Sequence, residues 1–368
     1  MKIGLVCPYD MYKGGGVQEC VIALQQELSN RVHNVKIITP VPPAVKDPKQ
    51  NSIIFIGNGI QMKTPGHTTV QISISADNEL ITAMLEEEKF DVLHFHEPWI
   101  PVLSRQILSR STAVNVATFH AKLPDTIIIQ TLAKVVTPYT KSIIKYLSGF
   151  TAVSPAASEY VGSLTDKKIQ IIPNGIDLSK YHKKDIKRDQ NILYIGRLEK
   201  RKGIKYLIDA FCKMKNTKSR LVIAGDGVDK LKLEKYVASK QVNDRVDFLG
   251  YISEDQKLKL LAKSGVFCSP ALFGESFGIV LLEAMAMGLP IVAGNNPGYS
   301  SVLTGYGTNS LVNPKAIDEF SDRLDRFLAD GDLRKNWKDW AKESIMQYDY
   351  VKVVDGYEKF YQEVLGRK

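Results

Sequence analysis

Residues 3–18 have the sequence IGLVCPYDMYKGGGVQ. The first five of them form a short apolar run, which is typical of a buried strand. A glycine-rich turn follows, and apolar residues at helical spacing begin near Val17. This order of strand, turn and helix is typical of an α/β protein, in which helices cover the faces of a sheet.

The same alternation continues along the chain. In the first half, strands are predicted at 35–39, 53–56, 92–96, 114–120, 150–154 and 169–173, with helical spacing at 79–89 and 124–147. After a lysine-rich interval at about 177–190, strands are predicted at 191–196, 221–225, 246–250, 266–269 and 291–293. Apolar strands that alternate with helices predict parallel sheets covered on both faces. We therefore expect two doubly wound domains, 1–175 and 176–349, and a last helix at about 350–368 that crosses back to the first.

Composition narrows the class of protein. The 368 residues are 44% hydrophobic and 24% charged, as in globular proteins. No apolar run approaches the roughly 20 residues of a transmembrane helix, and the N-terminus does not resemble a signal peptide. We expect a cytoplasmic protein, with peripheral contact to the inner face of the cell membrane as an option. The four cysteines occur singly, which favours reduced thiols over disulfides or a zinc site.

The glycines at 14–16 are the first candidate for a ligand contact. They let the backbone approach a ligand closely, and the following helix directs free N–H groups toward it. Such a turn suits a phosphate or the oxygens of a sugar, and a tight turn without a ligand is the alternative. The segment is neither G-x-G-x-x-G nor a P-loop, so dinucleotide or ATP binding loses support.

A second candidate is GRLEKRKG at 196–203, between a predicted strand and a helix. Arg197 and Lys202 lie at the carboxyl end of the strand, where ligands of such sheets bind. A guanidinium and an ammonium together neutralise a diphosphate and stabilise it as a leaving group. A solvated basic loop is the alternative.

A third candidate is GESFGIVLLEAMAMG at 274–288. Glu275 and Glu283 are placed at the start and in the body of a short helix, and eight helical residues span roughly 12 Å. That spacing fits one carboxylate at a sugar and the other at a nucleoside, with Gly274 and Gly278 opening the helix N-terminus for phosphate. The alternative is a helix with incidental acids, although an unpaired carboxylate among apolar residues is costly.

Together these segments resemble a known family. The two glutamates, residues 196–203, IPNGID at 172–177 and AGDG at 224–227 are similar, in the same order, to the family 4 retaining glycosyltransferases of the GT-B fold. Within that family, residues 4–18, 91–98, 116–120 and 274–281 resemble the phosphatidylinositol α-mannosyltransferases. The resemblance implies two facing Rossmann-like domains with a cleft between them, the first binding the acceptor and the second the nucleotide-sugar donor.

The resemblance also implies roles for individual residues. The implied catalytic residues are His120, Arg197, Lys202 and Glu275; the implied donor-binding residues are Gly16, Glu254, Phe277, Gly278, Ile279 and Glu283; and the implied acceptor-binding residues are Tyr9, Gln18, Asn58 and Lys63. No metal, cofactor or protein nucleophile is implied, because the leaving phosphate helps to deprotonate the acceptor. Catalysis then rests on positioning and electrostatic stabilisation.

The donor and acceptor follow from finer points of the resemblance. Glu254 matches an acid near the base, and a carboxylate can accept from guanine N1–H and its amino group, which favours GDP-mannose. The alternative is that Glu254 is an exposed loop acid without a ligand. The donor would then be UDP-glucose or UDP-GlcNAc, and the acceptor a glycolipid or polysaccharide precursor. The resemblance implies a lipid acceptor such as phosphatidylinositol.

The sequence departs from the mannosyltransferases in three places. Lys63 replaces an arginine, AKLPD at 121–125 replaces a hydroxyl-rich run, and the segment 77–91, basic in the relatives, holds six acids and one base. An anionic membrane surface would repel 77–91. Lys134, Lys141 and Lys145 share one helical face and could compensate, and a solvated face is the alternative.

Other interpretations carry less support. A sugar-nucleotide epimerase would not be expected to pair the two cations with this glutamate element. A non-catalytic anion-binding module would use the net charge of +9, but the sequence has no nucleic-acid motif or aromatic platform, and no nucleic-acid partner is expected.

A metal on His94, His96 and Glu97 would need a further ligand that the sequence does not show. The acids of DGD at 330–332 are expected in a turn.

Overall fold

The computed structural model describes residues 1–12, 14–42, 51–63, 69–99, 103–122, 137–181 and 187–366, with the backbone alone for 58–63 and 69–75. The described residues form two compact units. The first consists of Met1–Gly175 and Tyr350–Lys368, and the second of Ile176–Asp349. The predicted helix at 124–147 is described only from residue 137 onward, and Lys134 lies outside the described residues.

The strands and helices alternate along the chain. The strands are β1 Lys2–Val6, β2 Asn34–Val41, β3 Ile53–Lys63, β4 Thr69–Ser75, β5 Val92–His96, β6 Val114–Phe119, β7 Gly149–Ala152, β8 Ile169–Ile171, β9 Ile192–Ile195, β10 Leu221–Ala224, β11 Val246–Gly250, β12 Val266–Ser269, β13 Ile291–Gly294 and β14 Leu311–Val312. The helices are α1 Gly16–Asn30, α2 Asn78–Glu88, α3 Leu103–Leu108, α4 137–144, α5 Pro155–Gly162, α6 Ile204–Lys213, α7 Lys230–Ser239, α8 Glu254–Lys263, α9 Ile279–Ala286, α10 Pro297–Ser300, α11 Ile317–Ala329, α12 Gly331–Ser344 and α13 Tyr350–Leu365.

The first unit is built on an eight-stranded sheet in the order β4-β3-β2-β1-β5-β6-β7-β8. Strand β1 pairs in parallel with β2 and β5, and the parallel pattern continues to β8. The exception is β4, which pairs antiparallel with β3. The prediction of a parallel sheet is confirmed for the other described strand pairs of this unit, and the edge pair of β3 and β4 departs from it.

Helix α13 belongs to the first unit through its apolar face. Its buried side chains recur at spacings of three and four residues and join the core formed by α1, β1 and β2: Val353, Val354, Tyr357, Phe360, Tyr361 and Val364. On the polar side of α13, Asp355 bonds Arg31 at 2.7 Å, and Glu358 pairs with the same arginine, which follows α1. Burial of each large apolar side chain contributes about 1.5–3 kcal/mol, so packing dominates the attachment of this helix.

The second unit has a six-stranded sheet in the order β11-β10-β9-β12-β13-β14, with every neighbouring pair parallel. Strand β9 is central, so its carboxyl end opens among the loops that follow β10 and β12. Arg188 ties the loop before β9 to the helices by donating to the carbonyls of Leu261, Ser264 and Met287. The two units are thus Rossmann-like α/β domains with the doubly wound sheets that the sequence predicts.

Candidate active site

The loop after β9 carries the predicted cations of the second unit. Its shape depends on Gly203, whose φ of 72° is left-handed and whose position would place a Cβ 2.1 Å from the carbonyl oxygen of Pro270. Only glycine permits this contact. The 196–203 loop therefore lies directly against the loop that follows β12, which carries Glu275.

Two cations hold the carboxylate of Glu275. Its Oε1 lies 2.6 Å from Arg201 Nη1 and 2.8 Å from Lys202 Nζ, and its side chain is 11% exposed. Burial alone would raise the pKa of Glu275, but Lys202 and Arg201 outweigh it and lower that pKa below its usual value. The carboxylate is therefore ionised at neutral pH and fixed in direction.

Arg197 lies at the open side of the same network. Its Nη1 is 3.0 Å from Glu199 Oε1, while the other oxygen of Glu199 lies 3.0 Å from Arg201 Nε. The side chain of Arg197 is 48% exposed, against 15% for Lys202. Arg197, Arg201 and Lys202 carry three positive charges against two negative ones on Glu199 and Glu275, and this surplus of positive charge suits a diphosphate.

Helix α9 begins after Glu275 rather than at it. The helix spans Ile279–Ala286, and Gly278 precedes it with a left-handed φ of 106°. The expected 12 Å span along eight helical residues is therefore wrong, because residues 275–278 form a loop. The amides of Gly278 and Ile279 lie at the N-terminal end of α9, where the first N–H groups lack helical partners. Phe277 is buried and packs edge-on against Tyr348.

Glu283 is buried inside α9 with two partners. Lys257 Nζ lies 2.5 Å from its Oε1, and the Tyr181 hydroxyl donates to the same oxygen at 3.2 Å. Burial raises the pKa of Glu283 above its usual value, and Lys257 opposes this effect. Lys257 also pairs at 2.8 Å with Glu254, whose side chain is 77% exposed. One lysine thus bridges the carboxylates that the sequence assigns to the ribose and the base.

In the first unit, His120 directly follows β6 and is buried. Its Nε2 lies 2.9 Å from Nδ1 of His96, and the two rings are stacked with centroids 5.2 Å apart. Burial lowers the pKa of His120 to about 4, although a hydrogen bond with Asn174 acts in the opposite direction. His120 is therefore a neutral imidazole at pH 7, with one N–H donor and one acceptor nitrogen.

Two of the residues predicted to bind the acceptor, Tyr9 and Gln18, follow β1 in the chain, as does Gly16, which was predicted to bind the donor. Gly16 is the first residue of α1, and Gln18 in the first turn donates to the carbonyl of Asp10 at 3.4 Å. Tyr9 accepts a hydrogen bond on its carbonyl from the Thr39 hydroxyl at 2.8 Å. Asn58 and Lys63 lie on β3, and their side chains are outside the described residues.

The residues weighed as metal ligands have other partners. The ring of His94 bonds the Tyr361 hydroxyl at 2.7 Å and Thr118 at 2.6 Å, and Glu97 accepts backbone N–H groups. Over the described ranges, no group of three or more His, Cys, Asp or Glu side chains is arranged to hold a metal ion. Asp330 caps α12 by accepting from the Leu333 amide, so the acids at 330–332 are at a helix start.

Three residues of the second unit were not among the predicted ones: Arg201, Lys257 and Tyr181. Arg201 adjoins Lys202 in the run KRKG, and Lys257 follows Glu254 at the i, i+3 spacing of a helical ion pair. Both signals were present in the sequence. Tyr181 had none, since its contact with Glu283 joins positions 102 residues apart.

Family comparisons cover almost the whole chain. Residues 14–180 match the family described as Glycosyltransferase Family 4, and residues 179–344 match Glycosyl transferases group 1. A phosphatidyl-myo-inositol mannosyltransferase of Mycolicibacterium smegmatis is 30% identical over 374 residues, which cover 100% of this chain and 95% of that protein. An N-acetyl-alpha-D-glucosaminyl L-malate synthase of Bacillus anthracis is 27% identical, over 99% of this chain and 97% of that protein.

Solved structures show the same fold. A sucrose-phosphate synthase from Thermosynechococcus elongatus matches with a TM-score of 0.79 at 19% identity, covering 100% of both chains. Anabaena Alr3699/HepE in complex with UDP matches with a TM-score of 0.78 at 18% identity, over 99% of this chain and 100% of that one. Sequence families, full-length relatives and fold agree, and this chain belongs to the family 4 glycosyltransferases of the GT-B fold.

Proposed function

We propose that this glycosyltransferase transfers mannose from GDP-mannose to a lipid acceptor such as phosphatidylinositol, with retention of the anomeric configuration. The single observation that carries the proposal is the Glu275 carboxylate, held by Arg201 and Lys202 beside Arg197. Relatives at 28–30% identity that are named phosphatidyl-myo-inositol mannosyltransferases support the choice of sugar and acceptor.

The second unit would bind the donor. Arg197 and Lys202 are proposed to bind the diphosphate, together with the amides of Phe277, Gly278 and Ile279. Arg197 is half-exposed and can move from Glu199 to a phosphate oxygen, exchanging one charge-assisted hydrogen bond for another. Glu275 would accept from sugar hydroxyls, and Glu283 would accept from the ribose.

In the transfer step, the bond between the anomeric carbon and the diphosphate oxygen breaks and the acceptor oxygen bonds to the same face of that carbon. The acceptor proton passes to the leaving phosphate, so no protein nucleophile is needed. Arg197 and Lys202 stabilise the charge that develops on the diphosphate. His120, a neutral imidazole, would bind a substrate hydroxyl rather than supply a cation. No step requires a metal ion.

Glu254 supports guanine as the base, because its carboxylate is exposed and pairs with Lys257 at 2.8 Å. Guanine N1–H and its amino group would have to bond this carboxylate in place of, or together with, that lysine. A second candidate donor is UDP-glucose or UDP-GlcNAc, with a glycolipid or polysaccharide precursor as acceptor. The Bacillus anthracis relative, whose name includes a glucosaminyl group, supports this alternative.

The acceptor would bind to the first unit through Tyr9, Gln18, Asn58 and Lys63. Helix α2 is an unsuitable contact for an anionic membrane, since Glu79, Glu86 and Glu87 are exposed on it. We propose that peripheral contact uses Lys141 and Lys145 instead, which are both exposed. Among the described residues, no helix has the length and apolar character needed to cross a membrane.

The proposal is tested by incubating the protein with phosphatidylinositol vesicles and, in turn, GDP-mannose, UDP-glucose and UDP-GlcNAc in the presence of EDTA. We expect a lipid one hexose heavier with GDP-mannose, and an α linkage by NMR. Product formed with a UDP-sugar would support the alternative donor. A requirement for a divalent metal would contradict the metal-independent mechanism, and conversion of the sugar-nucleotide without acceptor would indicate an epimerase.

A further inference from the structure

Glu97 occupies an unusual position at the end of β5. It is 1% exposed and has a left-handed φ of 52°, which non-glycine residues seldom adopt. Such a conformation costs of order 1–3 kcal/mol and persists where surrounding contacts hold it. One such contact is the hydrogen bond that the Glu97 amide donates to the carbonyl of Thr118 at 3.0 Å.

The carboxyl group of Glu97 accepts hydrogen bonds from three N–H donors. Its Oε1 accepts from the backbone amides of His120 and Ala121 at 2.5 and 2.6 Å, and the indole N–H of Trp99 donates to Oε2. Burial raises the pKa of Glu97 to about 8, and the two backbone hydrogen bonds oppose this effect. A buried carboxyl group is costly unless its oxygens are bonded, so these contacts define the conformation of the segment.

The two amides belong to the turn that carries the His120 side chain. They fix the direction in which the backbone leaves β6, and the contact between His96 Nδ1 and His120 Nε2 at 2.9 Å fixes the ring. Two consecutive residues therefore hold His120. His96, the last residue of β5, contacts its ring, and Glu97 binds its backbone N–H. A small rotation of the 120–121 peptide would displace the imidazole.

We propose that Glu97 is a positioning residue for the transfer reaction, and that it acts through His120 by holding the amides of His120 and Ala121. The inference rests on the proposed role of His120 in binding a substrate hydroxyl. In this role Glu97 bonds backbone amides and acts on the substrate only through His120. Misplacement of a reacting group by about 1 Å can lower a rate on the order of a hundredfold, which sets the scale of the effect.

The test is a double-mutant cycle on kcat with Glu97→Ala, His120→Ala and the double variant. The bond from Glu97 to the amide of residue 120 involves backbone, so it survives in His120→Ala. We expect Glu97→Ala to lower kcat by about 10–100-fold, with the affinity for GDP changed by less than about threefold. The double variant should be no more than about twofold slower than His120→Ala alone. Glu97→Gln keeps the shape and one oxygen acceptor, and it serves if Glu97→Ala does not fold.

The control is Glu88→Gln, a buried carboxylate of the same unit that pairs with Lys2 and Lys36. We expect it to lower the melting temperature and to leave kcat unchanged. Losses that multiply in the double variant, or a Glu97→Ala enzyme with the wild-type kcat, would overturn the inference while leaving the proposed function intact. A wild-type kcat for His120→Ala would instead remove the proposed role of His120, and this inference with it. If Glu97→Gln is used, a wild-type kcat or a multiplied loss overturns the inference in the same way.

Discussion

Three largely buried carboxyl groups of this protein are stabilised by three different kinds of partner. Glu275 has two cations, Glu283 has a lysine and a tyrosine hydroxyl, and Glu97 has N–H groups. The partners determine the charge state: the pKa of Glu275 is lowered, whereas burial raises the pKa of Glu283 and Glu97. Of the three, Glu275 is the one whose surroundings most favour the ionised form, which is the form that its proposed contact with sugar hydroxyls requires.

Replacing Glu275 tests its role in the reaction. Glu275→Gln keeps the shape but removes the charge that pairs with Arg201 and Lys202. We expect kcat to fall by at least about 100-fold, because a charge-assisted contact to the sugar is lost in the transition state. Steady-state kinetics with the preferred donor measure this loss. Asp322→Asn, an exposed acid of the same unit, is the control, and an equal loss in both variants would contradict the prediction.

Arg201 holds the loop before α9, beyond its contact with Glu275. Its Nη1 donates to the Gly274 carbonyl at 3.2 Å, and its own carbonyl accepts from the Leu272 amide at 2.9 Å. We expect Arg201→Lys to lower kcat by about 10-fold, since an ammonium lacks the planar fork that reaches Glu199 and Glu275 together. Kinetic assays combined with GDP titration provide the measurement. A loss of GDP affinity with kcat preserved would show that Arg201 binds the nucleotide instead.

The buried histidines predict a dependence of stability on pH. Burial lowers the pKa of His94 to about 3 and of His120 to about 4, and it also lowers that of His96. In the unfolded chain these rings titrate near 6.5. Their folded pKa values are depressed, so on acidification below about 6.5 the unfolded state binds protons first and folded-state stability falls.

We therefore expect the melting temperature to drop between pH 7 and pH 5, by more than in the His94→Gln variant. Each histidine contributes up to about 1.4 kcal/mol per pH unit in this window. Calorimetry at several pH values gives the slopes. Equal slopes for the wild type and the variant would indicate that His94 is not buried as a neutral ring.

At the scale of elements, α13 is the helix whose packing is most easily measured. Phe360 lies in the core of the first unit and contacts β7 so closely that a Cβ on Gly149 would come within 2.7 Å of its ring. Phe360→Ala should therefore destabilise the first unit by about 3–5 kcal/mol. Val351→Ala, on the exposed side of the same helix, should change stability by less than about 0.5 kcal/mol. Denaturant unfolding compares the two, and similar effects would contradict this packing.

The sequence predicts some elements well and others poorly for physical reasons. Strands β5, β11 and β12 were predicted at their observed bounds, because each begins with an apolar residue directly after a charged residue or a glycine. Strand β4 was missed, since its alternation TVQISIS is partly polar and its partner is the distal half of β3. Strand β14 has two residues, too few for a periodic signal.

The candidate site was predictable as a set of residue types and not as a set of contacts. The glycine at 203 and the cations of 196–203 signalled a ligand loop, and the structure places that loop against Glu275. The ion pair of Arg201 with Glu275 joins residues 74 positions apart, so the folded sheet creates it. The catalytic, donor-binding and acceptor-binding roles given to the site residues all remain predictions.

At the scale of the whole molecule, the two units carry different charge arrangements. In the second unit, Arg201 and Lys202 hold the Glu275 carboxylate and Arg197 pairs with the neighbouring Glu199. In the first unit, His120 contacts the neutral ring of His96, and its backbone N–H donates to the Glu97 carboxyl group. A cationic site in the second unit suits a donor whose diphosphate is negatively charged. A neutral site in the first unit suits an acceptor hydroxyl, which is uncharged until it is deprotonated during transfer. Membership of the family 4 glycosyltransferases is consistent with that division.

The central claim is that the second unit binds the diphosphate of the donor. Calorimetric titration of the wild type and of Lys202→Ala with GDP and with GMP tests it directly, because the two ligands differ by the second phosphate. The wild type should bind GDP about 10–100-fold more tightly than GMP, the worth of one or two charge-assisted hydrogen bonds, and Lys202→Ala should lose most of that preference. Equal affinity of the wild type for the two ligands, or an unchanged preference in the variant, would contradict the account.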